Sequence, residues 1–532
     1  MKRTLFFLGA ALMTLSPAMA QDIYKMETLS SEDLNGTARF VGMCGSMGAL
    51  GADISTMGTN PAGIAMFRRS DVSMTGGFHT QANAVDFMNL GKTRASFDQI
   101  GFVYACPIDD DVKFINFGFN YHKRRNFKQY LGLDNIATGG LSQSWQMMDL
   151  SMVSDGWLDL SNDDDRDYTT PLTLKGYDTQ LIAPVYDASG QITDYEPSNA
   201  QSYNYHRAQW GGVQQYDFNM SVNWNDQIYG GLTIGAYNVN MHSALGYTEA
   251  LIDPAGGAPQ NYNMYQEEQL SGAGFDVKLG FIFRPIEDSP FRFGVAVHSP
   301  IFFDLHSDQY LHLDSPYAQF DDNGNIISQR STSSIDPGRN EYKIHTPWRF
   351  NLSMATTIGR SFAINAEYEY ADFSAAQVRY GGGYDYWYDD WGSEKDQALS
   401  REAKRWLKPV STIKVGAELK LCPELSLRAG YNYVTAPMKA DAYLNHFTAS
   451  PEYYYSCNTD YVNLSDINRV TVGLGLRLGK FYVDAAYLYQ QQTATVYPFH
   501  LPAAGTNDIN RLKGQDIDLN QSRGLLTIGY KF

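Results

Sequence analysis

Between Asn468 and Tyr489 apolar and polar positions alternate one by one. Val470, Val472, Leu474, Leu476 and Leu478 fall on one face, and Thr471, Gly473, Gly475 and Arg477 on the other. A period of two is that of a β-strand whose faces meet different surroundings. After Gly479-Lys480 the pattern resumes, with Phe481, Val483, Ala485, Tyr487 and Tyr489 opposite Asp484 and Ala486, so the two segments read as a hairpin. The same test predicts strands at 71–80, 98–106, 112–122, 213–225, 227–238, 272–286, 290–304, 345–358, 361–373, 408–420, 424–436, 468–479, 481–492 and 522–532.

The links between these strands alternate strictly. One set is tight and includes Asp109-Asp110-Asp111, Asn225-Asp226 and Cys422-Pro423; the other set is long. Short turns at one end and long loops at the other are the periplasmic and extracellular ends of an outer-membrane barrel, which in bacteria has an even strand number. The pattern predicts an all-β, fourteen-stranded antiparallel transmembrane β-barrel over residues 70–532, with its C-terminus in the periplasm. The connection 123–212 is too long to be structureless. It carries Asp163-Asp164-Asp165 and several tyrosines, and local structure over the outer mouth is expected. A second conspicuous loop, Tyr380–Trp391, reads as aromatic packing on the rim, with a ligand-capture surface as the alternative. At the end of the chain Leu526, Ile528, Tyr530 and Phe532 alternate to the last residue. A terminal aromatic of this kind resembles the signal read by the barrel-assembly machinery, which makes Tyr530 and Phe532 candidate assembly residues.

Composition agrees with a barrel. The chain has 37 Tyr, 28 Phe, 8 Trp and 47 Gly with only 19% charged residues, yet its mean hydropathy is −0.36. Moderate hydropathy suits a wall in which every second residue faces lipid. After the N-terminus no apolar run reaches the length of a spanning helix. The formal charge of −17 argues against a nucleic-acid partner. Lys2 and Arg3, the apolar stretch Leu5–Leu15 and Ala18-Met19-Ala20 form a signal-peptide pattern over residues 1–20. Gln21 follows the proposed cut in place of a cysteine, so a lipoprotein is not expected. Cys44, Cys106, Cys422 and Cys457 lie in no C-x-x-C pair and define neither a zinc site nor a disulfide framework. The histidines are scattered, neither G-x-S-x-G nor H-E-x-x-H occurs, and Asp321–Asn325 reads as a turn without the later Glu of a calcium loop. No enzyme activity, cofactor or metal is expected.

Residues 21–69 do not alternate. Gly42, Gly45, Gly48 and Gly51 recur at every third position without the spacing of a phosphate loop. Small residues in irregular backbone suit packing in a confined space, and a barrel of this strand number has a lumen to fill. The segment therefore reads as a plug. Asp53-Ile-Ser-Thr56 followed by Asn60-Pro61-Ala62-Gly63-Ile-Ala65, just before the first strand, resembles the hatch of FadL/TodX-type outer-membrane transporters. Phe275–Phe283 and Phe291–Pro300 resemble that family's sixth and seventh strands; the long loop after the third strand departs from its pattern. The resemblance implies passive uptake of a hydrophobic small molecule, such as a long-chain fatty acid or an aromatic compound, captured at the loops and, after the hatch shifts, released through a gap in the wall toward the lipid. It covers essentially the whole mature chain, in which outer-membrane lipid and lipopolysaccharide are the surroundings and a monomer is expected. A general or saccharide diffusion porin and a surface adhesin or structural barrel are the alternatives. Alternation also points Lys278, Arg284, Arg292, Lys414, Arg428 and Arg477 into the lumen, with Glu367, Glu369, Glu418 and Asp484. Facing lipid, an Arg or Lys would cost about 2–4 kcal/mol at the midplane. These cations either form inward ion pairs that stiffen the wall or hold an acidic ligand.

Overall fold

The computed structural model describes residues 23–532 apart from 83, 85–86, 89–90, 109–110, 154–155, 254, 287, 321–325, 382–391, 446–455 and 502–511. The signal-peptide pattern, the Asp109-Asp110 part of the first tight turn, the Asp321–Asn325 turn and all but Tyr380 and Gly381 of the Tyr380–Trp391 loop lie outside the described residues.

Fourteen antiparallel strands close into a barrel. They are β1 Asp71–Gln81, β2 Thr93–Pro107, β3 Val112–Asn126, β4 Ala200–Trp224, β5 Ile228–Leu251 and β6 Gln260–Phe283. Strand β7 comprises Arg292–His298 and Phe302–Ser315, and β8 comprises Arg339–His345 and Arg349–Ile358. Then follow β9 Phe362–Asp372, β10 Pro409–Lys420, β11 Leu425–Val434, β12 Ile467–Leu478, β13 Phe481–Gln491 and β14 Gln521–Lys531. Each pairs with its neighbours in sequence, and β1 pairs with β14 from Asp71↔Lys531 to Gln81↔Gln521, so no edge is left open. The Gly479-Lys480 hairpin has Leu478↔Phe481 as its last pair. The Asn225-Asp226 turn places both residues at positive φ, 51° and 56°, the twist that a tight hairpin favours.

Every predicted strand is present, but four run more than ten residues beyond what alternation indicated and two are interrupted. The predicted segments 213–225, 227–238, 272–286 and 290–304 belong to strands that reach Ala200, Leu251, Gln260 and Ser315. Their loop-end halves keep the period of two while the apolar face changes sides. In β5, Leu232 and Ile234 point outward and are exposed, with Thr233 and Gly235 inside. Further along, Asn238 and Asn240 point outward, and Tyr237, Val239 and Met241 are buried inside. Lipid requires an apolar outer face, whereas water beyond it requires a polar one. Where β7 and β8 run past Pro300 and Pro347 the ladder is interrupted in both, because proline offers no N–H. Ile301 N there donates to Thr346 Oγ1 at 2.8 Å, and Thr346 N to Ile301 O at 3.1 Å.

An outward apolar belt surrounds the turn-end half of the barrel, with Val472, Leu474, Phe350 and Leu352 each about half exposed in the isolated chain. No described helix is long and apolar enough to cross a membrane; the chain crosses with strands. The connection between β3 and β4 is structured: a strand Gln129–Gly140 pairs with the extension of β4, and helices Gln143–Asp149 and Pro171–Asp178 follow. These elements and the tall strands enclose a buried core that includes Leu160, Tyr195, Tyr203, Tyr205, Tyr247 and Tyr262. This dome stands over the loop end.

Candidate functional site: a plug and the cavity beside it

Residues 23–67 lie within the barrel. They form helix α1 (Ile23–Ser30), a short helix Ala38–Gly42, and two 3-10 turns, Ile54–Gly58 and Pro61–Met66. Thr37 caps the short helix through its hydroxyl, Asp53 caps the first 3-10 turn, and Asn60 caps the second with Pro61 as its first residue. These are the positions at which short polar side chains and proline are favoured.

The hatch-like residues hold one another. Thr37 Oγ1 donates to both Asp53 carboxylate oxygens at 2.8 and 2.9 Å, and Ser55 N donates to Asp53 Oδ1 at 3.0 Å. Asn60 is fully buried. Its amide donates to Gly48 O at 2.8 Å and to Phe281 O of β6 at 3.3 Å, and its carbonyl accepts from Ala62 N at 3.2 Å. The pair Asn60-Pro61 thus joins two plug segments to the wall. Wall glycines make room for it: a Cβ on Gly231 would meet the Pro61 backbone, and one on Gly280 would meet Asn60. Gly416 and Gly430 face Met43 and Cys44 in the same way. Gly63 completes the set, its N–H bonded to Asn60 O and its carbonyl accepting from Ala52 N.

Ion pairs, most of them buried on the wall side, tie the plug to the wall. Arg39 reaches Glu418 at 3.1 Å, and Arg428 bridges Glu418 at 2.7 Å and Asp484 at 2.5 Å. Arg349 meets Glu369 at 2.9 Å and plug Glu32 at 3.2 Å, and it donates to the Ser30 carbonyl. Gly48 N donates to Glu367 Oε2 at 2.9 Å. Lys25 of α1 pairs with Glu268 at 2.5 Å, and plug Asp33 with Arg523 at 2.8 Å. Burial alone would raise the Asp33 carboxyl, but Arg523, Arg125 and Arg469 hold it well below the usual range.

The six predicted lumen cations separate into groups. Lys278 is buried between Asp217 at 3.0 Å and Asp276 at 2.9 Å. Lys414 is buried between Glu367 at 2.9 Å and Glu369 at 3.1 Å. With Arg428 these two belong to carboxylate networks. Arg292 supports the plug, donating to Leu50 O at 3.1 Å. Arg284 and Arg477 lie at the turn end and not within the lumen. Arg284 donates to Ser289 O in the turn after β6, and Arg477 is exposed, one residue before the end of β12. Alternation assigned them an inward face without giving their depth. Tyr530 stacks on Phe532 with ring centroids 6.0 Å apart, and Phe532 N donates to Ser70 O at 3.0 Å beside the closing seam. All four cysteines are free. Among the described residues no group of three or more His, Cys, Asp or Glu is arranged to hold a metal ion.

Between the plug and the dome lies a cavity of ≈ 230 Å³. Leu29 and Asp33 of the plug, Arg124 and Arg125 at the end of β3, and Arg469 of β12 line it. Sequence reasoning missed these cations. Arg124 and Arg125 lie beyond the segment assigned to β3, at a bulge between Lys123 and Arg125, and Arg469, inside the predicted strand 468–479, was not among the cations assigned to the lumen.

The arrangement defines a class, a transmembrane β-barrel of the outer-membrane type with a folded plug in its lumen. Its fold is shared with a Pseudomonas aeruginosa FadL homologue at TM-score 0.51 and 12% identity, over 94% of this chain and 99% of that one. Toluene transporters TbuX of Ralstonia pickettii and TodX of P. putida align at 12% and 13% identity over 94% of this chain and 99% of theirs, with TM-scores of 0.46 and 0.47. No family model matches the sequence, and no curated protein sequence matches it.

Proposed function

We propose that the chain is a FadL-type outer-membrane transporter that admits hydrophobic or amphipathic small molecules without energy coupling. The observation that carries this reading is the placement of a cavity, lined in part by Leu29, Met241, Leu270 and Val410, between a lumen plug and the structured loop end. A diffusion pore needs an open water path, and here residues 23–67 occupy the lumen. In this reading the loop end faces outward and captures the ligand, the cavity holds it, and rearrangement of the plug around Asn60-Pro61 lets it leave. The likeness to a FadL homologue supports the fold on which the reading rests. The test is native mass spectrometry of the barrel extracted from outer membranes, followed by uptake of the co-purified molecule into cells with and without the protein. Recovery of an apolar or amphipathic small molecule whose uptake depends on the chain is the expected result. A high, ligand-independent ion conductance in planar bilayers would overturn it in favour of a porin.

A further inference from the structure

The cavity is mixed in character: the strands that bring apolar side chains to it also bring Glu268, Glu369 and Lys414, each already ion-paired. Met241 of β5, Leu270 of β6, Ala371 of β9, Val410 of β10 and Val434 of β11 line one arc of the wall and pack with Leu29 of α1. The opposite arc runs from β12 through the seam to β4 and presents Arg469, Gln490, Gln521, Arg125 and Gln209, with Gln492 just past β13. The full lining holds ten side-chain amides, eight Lys or Arg and six carboxylates. A net positive lining stands out in a chain whose formal charge is −17.

The surplus is localised. Arg125 is half-buried and forms no ion pair among the described residues. Arg469 is buried and, among the described residues, its side chain bonds only amide oxygens, Gln490 Oε1 at 2.8 Å and Asn432 Oδ1 at 3.5 Å. Arg124 is 4% exposed; its Nη2 reaches Glu32 at 3.4 Å, and its Nη1 has no partner among the described residues. Near the first two, Asp33 is already paired with Arg523. Buried guanidinium N–H groups without acceptors are costly, and an anionic ligand would satisfy them.

Resting on the transporter reading, we propose that the ligand is a rigid organic acid with two unlike faces. Its carboxylate docks at Arg125 and Arg469 beside Asp33, its hydrogen-bonding groups face the amide arc, and its apolar face lies against Met241, Leu270 and Val410. An unbranched fatty acid matches the charge but has nothing to offer the amides along its length. A neutral aromatic hydrocarbon matches neither. Sites built to hydrogen-bond a ligand reject analogues lacking those groups, because their own polar atoms are then left unpaired.

The test measures equilibrium binding to the full mature barrel in phospholipid nanodiscs, with empty nanodiscs subtracted. The probes are cholate (hydroxyls on one face, a carboxylate at the end), palmitate and p-xylene. Cholate is expected to bind at least about tenfold more tightly than palmitate. Arg125→Ala should weaken cholate roughly 10- to 100-fold, the scale of a lost charge-assisted bond. Gln492→Leu should weaken cholate several-fold and leave palmitate unchanged. Both variants should retain the heat-modifiable migration of a folded barrel. Palmitate binding as tightly as cholate, or wild-type cholate binding by both variants, would overturn the two-faced ligand and leave the transporter reading standing. Saturable binding of none of the three probes would count against both.

Discussion

Replacing Asn60 by alanine tests whether the plug is held as a unit by one side chain. The substitution removes a helix-capping bond, typically worth about 1 kcal/mol. It also leaves Gly48 O and Ala62 N without the partners that the structure gives them at 2.8 and 3.2 Å. An unsatisfied buried backbone group costs roughly 1–3 kcal/mol. The combined local loss is about 2–4 kcal/mol. The barrel should survive, because its closed ladder includes no bond to this side chain other than the 3.3 Å contact to Phe281 O. The measurement is amide hydrogen exchange of the plug in folded, heat-modifiable barrel. At about 1.4 kcal/mol per factor of ten, the amides of Ala62, Gly63 and Ala52 should exchange some 30- to several hundred-fold faster, with the ladder of β12 and β13 unchanged. Uptake of ligand should fall in the same protein, and leakage of small polar solutes should rise. Plug amides exchanging within threefold of wild type would show that Asn60 is packing and not a clasp.

Four further outcomes follow from the same structure. Lys414→Met strands Glu367 and Glu369 without their shared cation and should lower barrel stability by about 3–5 kcal/mol, read as a lower temperature of heat modification. Gly280→Leu should block Asn60 from reaching the wall, raising ion conductance in planar bilayers without preventing membrane insertion. Glu249 lies in the dome, where burial pushes its carboxyl up to about 7 against bonds from Ser142, Tyr247 and Gln143. The folded dome then holds a proton that the unfolded chain releases near 4.5, so dome stability should fall as pH rises from about 4.5 to 7; Glu249→Gln should flatten that dependence in protease-susceptibility assays. Deleting Phe532, which is 57% exposed beside the seam, should reduce folded barrel in the outer membrane more than it reduces export.

The strands were legible because lipid imposes one rule on every outward position of the belt. Val470, Val472, Leu474 and Leu476 obey it without exception. The tall halves of β4 to β7 were missed because the rule reverses past the lipid, and Tyr262, Met264 and Leu270 on the inner face of β6 read as a fresh start in opposite phase. Asn60 and Pro61 were legible because a capping asparagine before proline has a local meaning. The wall side of that contact was not, since Gly231 and Gly280 acquire theirs only when the plug backbone arrives. Arg124 and Arg125 stayed hidden for a related reason: a bulge breaks the alternation that would have placed them.

The plug precedes β1 in the chain, yet it is held by the last strands to be made. Ala38 N donates to Thr527 Oγ1 at 2.7 Å, Asp33 pairs with Arg523 at 2.8 Å, and both partners belong to β14. Thr527 also meets Thr75 Oγ1 of β1 across the seam at 2.7 Å. Until β14 is in place, Ala38 and Asp33 lack these partners, so the strand that closes the cylinder also fastens the plug. Closure of the wall and retention of its contents thus share the same residues, Thr527 and Arg523.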